Sequence, residues 1–252
     1  MIVGWSRRVL VLIEQLLESG FPAVNITVVS RTSIRDRENA LRWQSFDTTH
    51  LSITHIDADF TAPGVIENLE FEGLDSVLLL AGHVSKSAEE SDARTLVAYE
   101  LLVSEFGKRS MSSELTPRIT AEMTHVTSTL QSPRSGDLVL IRPRILGYLQ
   151  SHVVLNRELN SVFSALFMPG QDAGISINDI DVYRDPSGMD LSFAELEELA
   201  AGRGEVALGL ITNKANSESV VELCPPPGMV CSDEACVVVL GRNRGSQPPG
   251  AA

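Results

Sequence analysis

The apolar positions of the first half of the chain alternate between two spacings. Met1–Gly4 is a short apolar start, and Arg7–Glu18 places Leu12, Ile13, Leu16 and Leu17 at helical spacing before Gly20 and Pro22 end it. Ala23–Ser30 is short and β-branched, which predicts a buried strand. The charged stretch Ile34–Trp43 predicts a short helix, Leu51–Asp57 a third strand, and Pro63–Leu69 one or two helical turns with Pro63 in the first position. Asp75–Ala81 is the clearest strand of all. Glu89–Phe106 follows as the longest helical pattern, with Leu96, Val97, Leu101 and Leu102 assigned to one side. Pro117–Met123 and Asp137–Ile141 complete the strands. Near-continuous apolar strands alternating with helices predict a Rossmann-like, doubly wound α/β parallel sheet covered on both faces.

The pattern changes after Pro143. Ile145–Phe167 is mostly helical with a break near Asn156, and Met168–Gly174 is a Pro/Gly loop. A small α+β lobe follows, with strands expected at Ile175–Tyr183, Glu205–Thr212, Val220–Leu223 and Cys236–Leu240. Its helix, Ser192–Ala201, opens on Ser192 with Glu195 three positions later, the capping-box spacing. The expected organisation is an N-lobe over 1–141, crossover and oligomerisation helices over 142–168, a C-lobe over 169–243 and a disordered tail over 244–252.

Composition narrows the function classes. With 252 residues and 43% of them apolar, the chain has enough material for a core without disulfides or metal. The formal net charge of −13 is spread over both halves, which argues against a nucleic-acid partner. No apolar run reaches the ~18–20 residues that cross a bilayer. Glu14 and Glu18 interrupt the start of the chain, so no secretory signal is expected there. Three cysteines, Cys224, Cys231 and Cys236, fit reduced thiols. The expectation is a soluble, cytoplasmic chain.

The candidate chemistry lies at the strand ends. The first turn, Gly4-Trp5-Ser6-Arg7-Arg8, keeps only the first glycine of the dinucleotide pattern G-x-G-x-x-G. Trp5 stands where a small residue is wanted and Arg8 helps fill the space meant for phosphate, so the pattern argues against NAD(P). Arg7 and Arg8 at a helix start either hold another anion or are simply solvated. Arg31 occupies the position where an acidic ribose ligand is usual; it would suit a 2′-phosphate instead. Asp59, after the third strand, either faces a ligand or caps the turn toward Pro63. Ser91 and Asp92, behind Gly82-His83, either favour their helix start by charge or belong to a small acidic site for a hard cation. The histidines and cysteines lack metal-ligand spacing, and the sequence contains no G-x-S-x-G, H-E-x-x-H or Walker A pattern. An enzyme is not expected.

Several segments, in order, resemble the cytosolic regulatory domain of the Castor/Pollux ion channels, relatives of the RCK (regulator of potassium conductance, TrkA-N-like) domains. They are GWSRRVLVLIEQLLE, SITHIDADFT, EGLDSVLLLAG, SDARTLVAYELL, PRITAEM, RELNSVFSALF and GRGEVALGLI, covering roughly residues 1–223. The chain departs from the family pattern at Ile141–Ile145, and pore helices are absent from it. The resemblance implies a Rossmann lobe, crossover helices and a C-lobe that assemble into a homo-oligomeric gating ring. It also implies a membrane pore domain or subunit as partner, a place at the inner face of a membrane, and sensing of an ion or small ligand, calcium among them. The ligand positions it implies are Gly4, Trp5, Ser6 and Arg7 at the first turn, Asp59, and Asp92 with Arg94. A metal site is not identified. The alternative is an NAD(P)-linked oxidoreductase with a degenerate cleft.

Overall fold

The protein is described from a computed structural model. It covers residues 1–18, 21–44, 49–81, 87–109, 116–125, 133–134, 136–167, 173–184, 191–213 and 219–242. The chain divides into two compact units, Met1–Leu17 with Pro22–Asn156, and Glu18–Phe21 with Arg157–Ala252.

The first unit is a six-stranded parallel sheet flanked by helices. Its strands are β1 (Ile2–Val3), β2 (Val24–Ser30), β3 (Leu51–Asp57), β4 (Ser76–Leu79), β5 (Arg118–Met123) and β6 (Leu138–Ile141). They lie in the order β3-β2-β1-β4-β5-β6, each pair parallel. That is the doubly wound Rossmann-like order, and the strand sequence reverses between β1 and β4, which opens a crevice at the carboxyl ends of the strands. The helices are α1 (Arg8–Glu18), α2 (Ile34–Arg42), α3 (Ala88–Lys108) and α4 (Arg142–Leu155). Val3, Val29, Val77, Leu79, Leu102 and Ile119 are among the buried residues of one apolar cluster that joins the sheet to α3.

The second unit is an antiparallel sheet with two helices. Helix α5 (Leu159–Phe167) leads to β7 (Ala173–Asp179), α6 (Phe193–Gly202), β8 (Val206–Asn213), β9 (Ser219–Leu223) and β10 (Cys236–Arg242). The sheet order is β7-β10-β8-β9. Leu196 and Ala200 of α6 pack with Leu210, Val237 and Val239 of the sheet. Ser192 and Glu195 close the expected capping box: each side chain bonds the other residue's backbone N–H, satisfying two donors that an uncapped helix leaves open.

Four sequence expectations need correction. The buried side of α3 is not the one through Val97 and Leu101, which are 45% and 38% exposed. It runs through Ser91, Thr95, Ala98, Leu102 and Glu105, a stripe of i, i+4, i+7 spacing that mixes polar and apolar groups. Pro63 opens no helix, because the local turn is a 3-10 piece at Ile66–Asn68. Strand β7 stops at Asp179, where Ile180–Val182 tightens into another 3-10 turn, and it starts at Ala173, inside the expected loop. The rest of that loop, Gly82-His83 and the tail at 244–252 lie outside the described residues.

The candidate site at the carboxyl edge of the parallel sheet

Gly4 makes the first turn possible. Its φ is +102°, a region that L side chains rarely adopt, and a Cβ there would sit 2.5 Å from the Leu80 carbonyl oxygen. Gly4 N–H donates to the Val29 carbonyl at 2.8 Å, which fixes the turn against β2. Trp5 folds inward and is 8% exposed, so it belongs to the core and not to an open cradle. Ser6 is fully buried, and its Oγ has no hydrogen-bond partner. Arg7 is exposed. Arg8 is only partly solvated. Its Nη2 donates to the Ala81 carbonyl at 3.1 Å and to Glu122 Oε2 at 2.7 Å, spanning from α1 to the ends of β4 and β5. Its Nε, like Ser6 Oγ, is buried without a partner. Glu122 Oε1 also faces Arg142 Nε at 3.4 Å, so one nearly buried carboxylate serves two guanidinium groups.

A second cluster of the same kind forms on the far side of β1. Asp59 Oδ1 accepts from Arg94 Nη2 at 2.5 Å, and Oδ2 from Arg31 Nη1 at 3.4 Å. Oδ1 also accepts from the Thr61 backbone N–H and hydroxyl, so Asp59 caps its turn and pairs with arginines at once. Burial works to raise the Asp59 pKa, but the bonds from Arg94 and Thr61 outweigh it and hold the carboxyl at about 2. The Arg94 guanidinium lies 5.0 Å from the centre of the Phe60 ring. Three sequence-predicted residues, Arg31, Asp59 and Arg94, therefore come together from β2, β3 and α3.

Asp92 does not join them. It is buried, and its carboxylate accepts from Thr124 N at 2.7 Å, Thr124 Oγ1 at 2.6 Å and His125 N at 2.8 Å. It ties the start of α3 to the chain leaving β5. Among the described residues no group of three or more His, Cys, Asp or Glu side chains is arranged to hold a metal ion.

Reading the sequence missed Arg37, Arg142 and Glu122. Arg37 is the buried residue of α2 and fully inaccessible. It donates to the carbonyls of Val28 at 3.0 Å, Ile56 at 3.2 Å and Ser30 at 3.5 Å, bracing the ends of β2 and β3. Burial pushes its pKa down, with Asp57 acting the other way. Burial and the Arg37 charge likewise lower the pKa of His55, against a smaller opposing effect of Glu38. A charged residue inside the apolar strand RITAEM was the available signal for Glu122.

No family model matches the sequence. Among solved structures, the human SLO3 gating ring superposes with a TM-score of 0.58 over 95% of this chain at 14% identity. This chain spans 43% of that one. The GsuK RCK domain and the GsuK channel bound to NAD each share 12% identity over 86% of this chain, covering 43% and 36% of theirs. Their TM-scores of 0.29 and 0.31 are too low to carry structural weight. The chain thus has the fold found in the SLO3 gating ring, a Rossmann-like sheet followed by a small antiparallel one.

Proposed function

We infer that this chain is a non-catalytic, cytosolic regulatory domain of a Castor/Pollux-like ion channel, one repeat of a gating ring that senses an ion or small ligand and controls cation transport. The observation that carries this is the architecture: a Rossmann-like unit and a small α+β unit joined in sequence through α4 and α5, in a fold that matches the SLO3 gating ring over 95% of this chain. Helices α4 and α5 bury none of their residues, and Leu155 of α4 is 85% exposed. Apolar helix surface of this kind supports a homo-oligomeric contact. No described helix is long and apolar enough to cross a membrane, so the pore is assigned to another segment or subunit. A ligand site at the carboxyl edge is supported by Ser6 Oγ and Arg8 Nε, buried and unpartnered there, and by two carboxylates each shared by two arginines. Turning a ring from 1:99 to 99:1 requires about 5.5 kcal/mol of differential binding, a quantity several linked subunits share.

A thermal-shift screen with Ca²⁺, K⁺, Na⁺, ATP, NAD(H) and NADP(H), paired with sedimentation over a wide concentration range, tests the reading. A ligand at 100 times its Kd adds about 2.7 kcal/mol. A strictly monomeric protein that responds to none of the probes contradicts the proposal. Tight NADP(H) binding with hydride turnover would replace it with the oxidoreductase alternative.

A further inference from the structure

Glu122 sits near the end of β5, on the opposite face of the strand from the core residues Ile119, Ala121 and Met123. Its side chain is 8% exposed, and the two guanidinium groups that share it come from the first residues of two helices, Arg8 of α1 and Arg142 of α4. The sharing is unequal. The carboxylate lies 2.7 Å from Arg8 and 3.4 Å from Arg142. Helix α4, like α1, has no acidic residue of its own in its first turn. It starts directly from β6 with Ile141 as its cap and makes no side-chain cap bond. Arg142 and Arg144 instead place positive charge at the positive end of the helix dipole, which is unfavourable unless an anion lies beside them. Glu122 is that anion.

We propose that Glu122 couples the first turn to α4: the less of its charge Arg8 takes, the more firmly Arg142 holds the base of α4. This deepens the regulatory reading, because a ligand that draws Arg8 toward itself at the first turn acts on α4 through the same carboxylate. The test needs no ligand, so it fails separately from the ligand site. Hydrogen exchange is followed in the whole chain, with β5 amides as internal reference and the amides of Leu146–Leu155 as readout. Glu122→Gln and Arg142→Ala each speed that exchange about threefold or more, the change expected from coupling within one ion-pair network. Arg8→Ala slows it by a similar factor and has no further effect when Arg142→Ala is also present. If Arg8→Ala does not fold, Arg8→Lys takes its place with the same expected sign, since it keeps the charge but loses the forked donors. Exchange in α4 that speeds up or stays unchanged on losing Arg8, or an Arg8 effect that persists without Arg142, overturns the proposal. Simple loss of packing would speed exchange in every variant.

Discussion

Replacing Asp92 with alanine removes one carboxylate and the acceptor of three hydrogen bonds. Two of them come from backbone N–H groups, at Thr124 and His125, and the third from the Thr124 hydroxyl. A hydrogen bond to a charged group is worth about 1.5–3 kcal/mol, and an orphaned buried donor costs a similar amount. The Thr124 hydroxyl keeps the Ala88 carbonyl at 3.1 Å as a second acceptor, and His125 is exposed enough for water to replace its partner. The backbone N–H of Thr124, half-buried, has no second acceptor within the protein among the bonds described. The expected loss for Asp92→Ala is therefore about 2–4 kcal/mol, with Asp92→Asn losing about half. Both tryptophans lie in the first unit, Trp5 at 8% and Trp43 at 87% exposure, so intrinsic fluorescence during urea unfolding reports on this unit. A cation ligand gives the opposite sign. If the carboxylate served an empty metal site beside Glu89 and Glu90, its removal would relieve like-charge repulsion and stabilise the protein. A variant as stable as the parent, or more so, refutes the clamp.

Three further predictions concern charge and glycine. Asp59 is held at about 2 in the folded protein against its usual 3.8. Its folded pKa is the lower one, so its stabilisation is complete above about pH 4 and is lost as pH falls through about 2; urea midpoints across that range should fall less steeply for Asp59→Asn. At Gly209 of β8 a Cβ would lie 2.2 Å from the Glu222 carbonyl oxygen, and Gly209→Ala should cost on the order of 3 kcal/mol by forcing β9 away. At Gly147, inside α4, a Cβ meets nothing within 4 Å, and Gly147→Ala should gain about 0.5–1 kcal/mol in the same chemical-unfolding assay.

The parallel sheet was legible because its strands, covered on both faces, carry nearly continuous apolar runs; β2, β3 and β4 fall within a residue or two of their predicted bounds. The face of α3 was not. Its buried stripe contains Ser91, Asp92, Thr95, Tyr99 and Glu105, of which Asp92 and Tyr99 bond Thr124 and Asp137 elsewhere in the fold, while the apolar Val97 and Leu101 turn outward. Apolar counting reads such a helix backwards. The same cause hid Arg37, the buried member of a helix in which charged residues outnumber apolar ones. Asp59 and Arg94 could be named one at a time, but their pairing across 35 positions is a product of the strand order.

The structure also separates the segments behind the family resemblance into two kinds. In GRGEVALG, Gly204 has a φ of +76° where α6 ends, Arg203 lies over the Tyr183 ring, and the Tyr183 hydroxyl donates to Glu205 at 2.7 Å. Gly209 lets β9 approach. Every one of those requirements is met inside the second unit, so this motif records how that unit folds and says nothing of a ligand. The first turn is different. Gly4 is explained by the Leu80 carbonyl and Trp5 by burial, but Ser6 Oγ and Arg8 Nε are polar atoms that the fold buries without using. Buried polar groups are nearly always paired, and leaving one unpaired costs about 1–3 kcal/mol. A fold optimised for stability alone would have exchanged Ser6 for alanine, which fits the same turn at no such cost. That unspent hydrogen-bonding capacity, beside a carboxylate contested by two arginines, is the observation on which the proposed ligand site at the first turn rests.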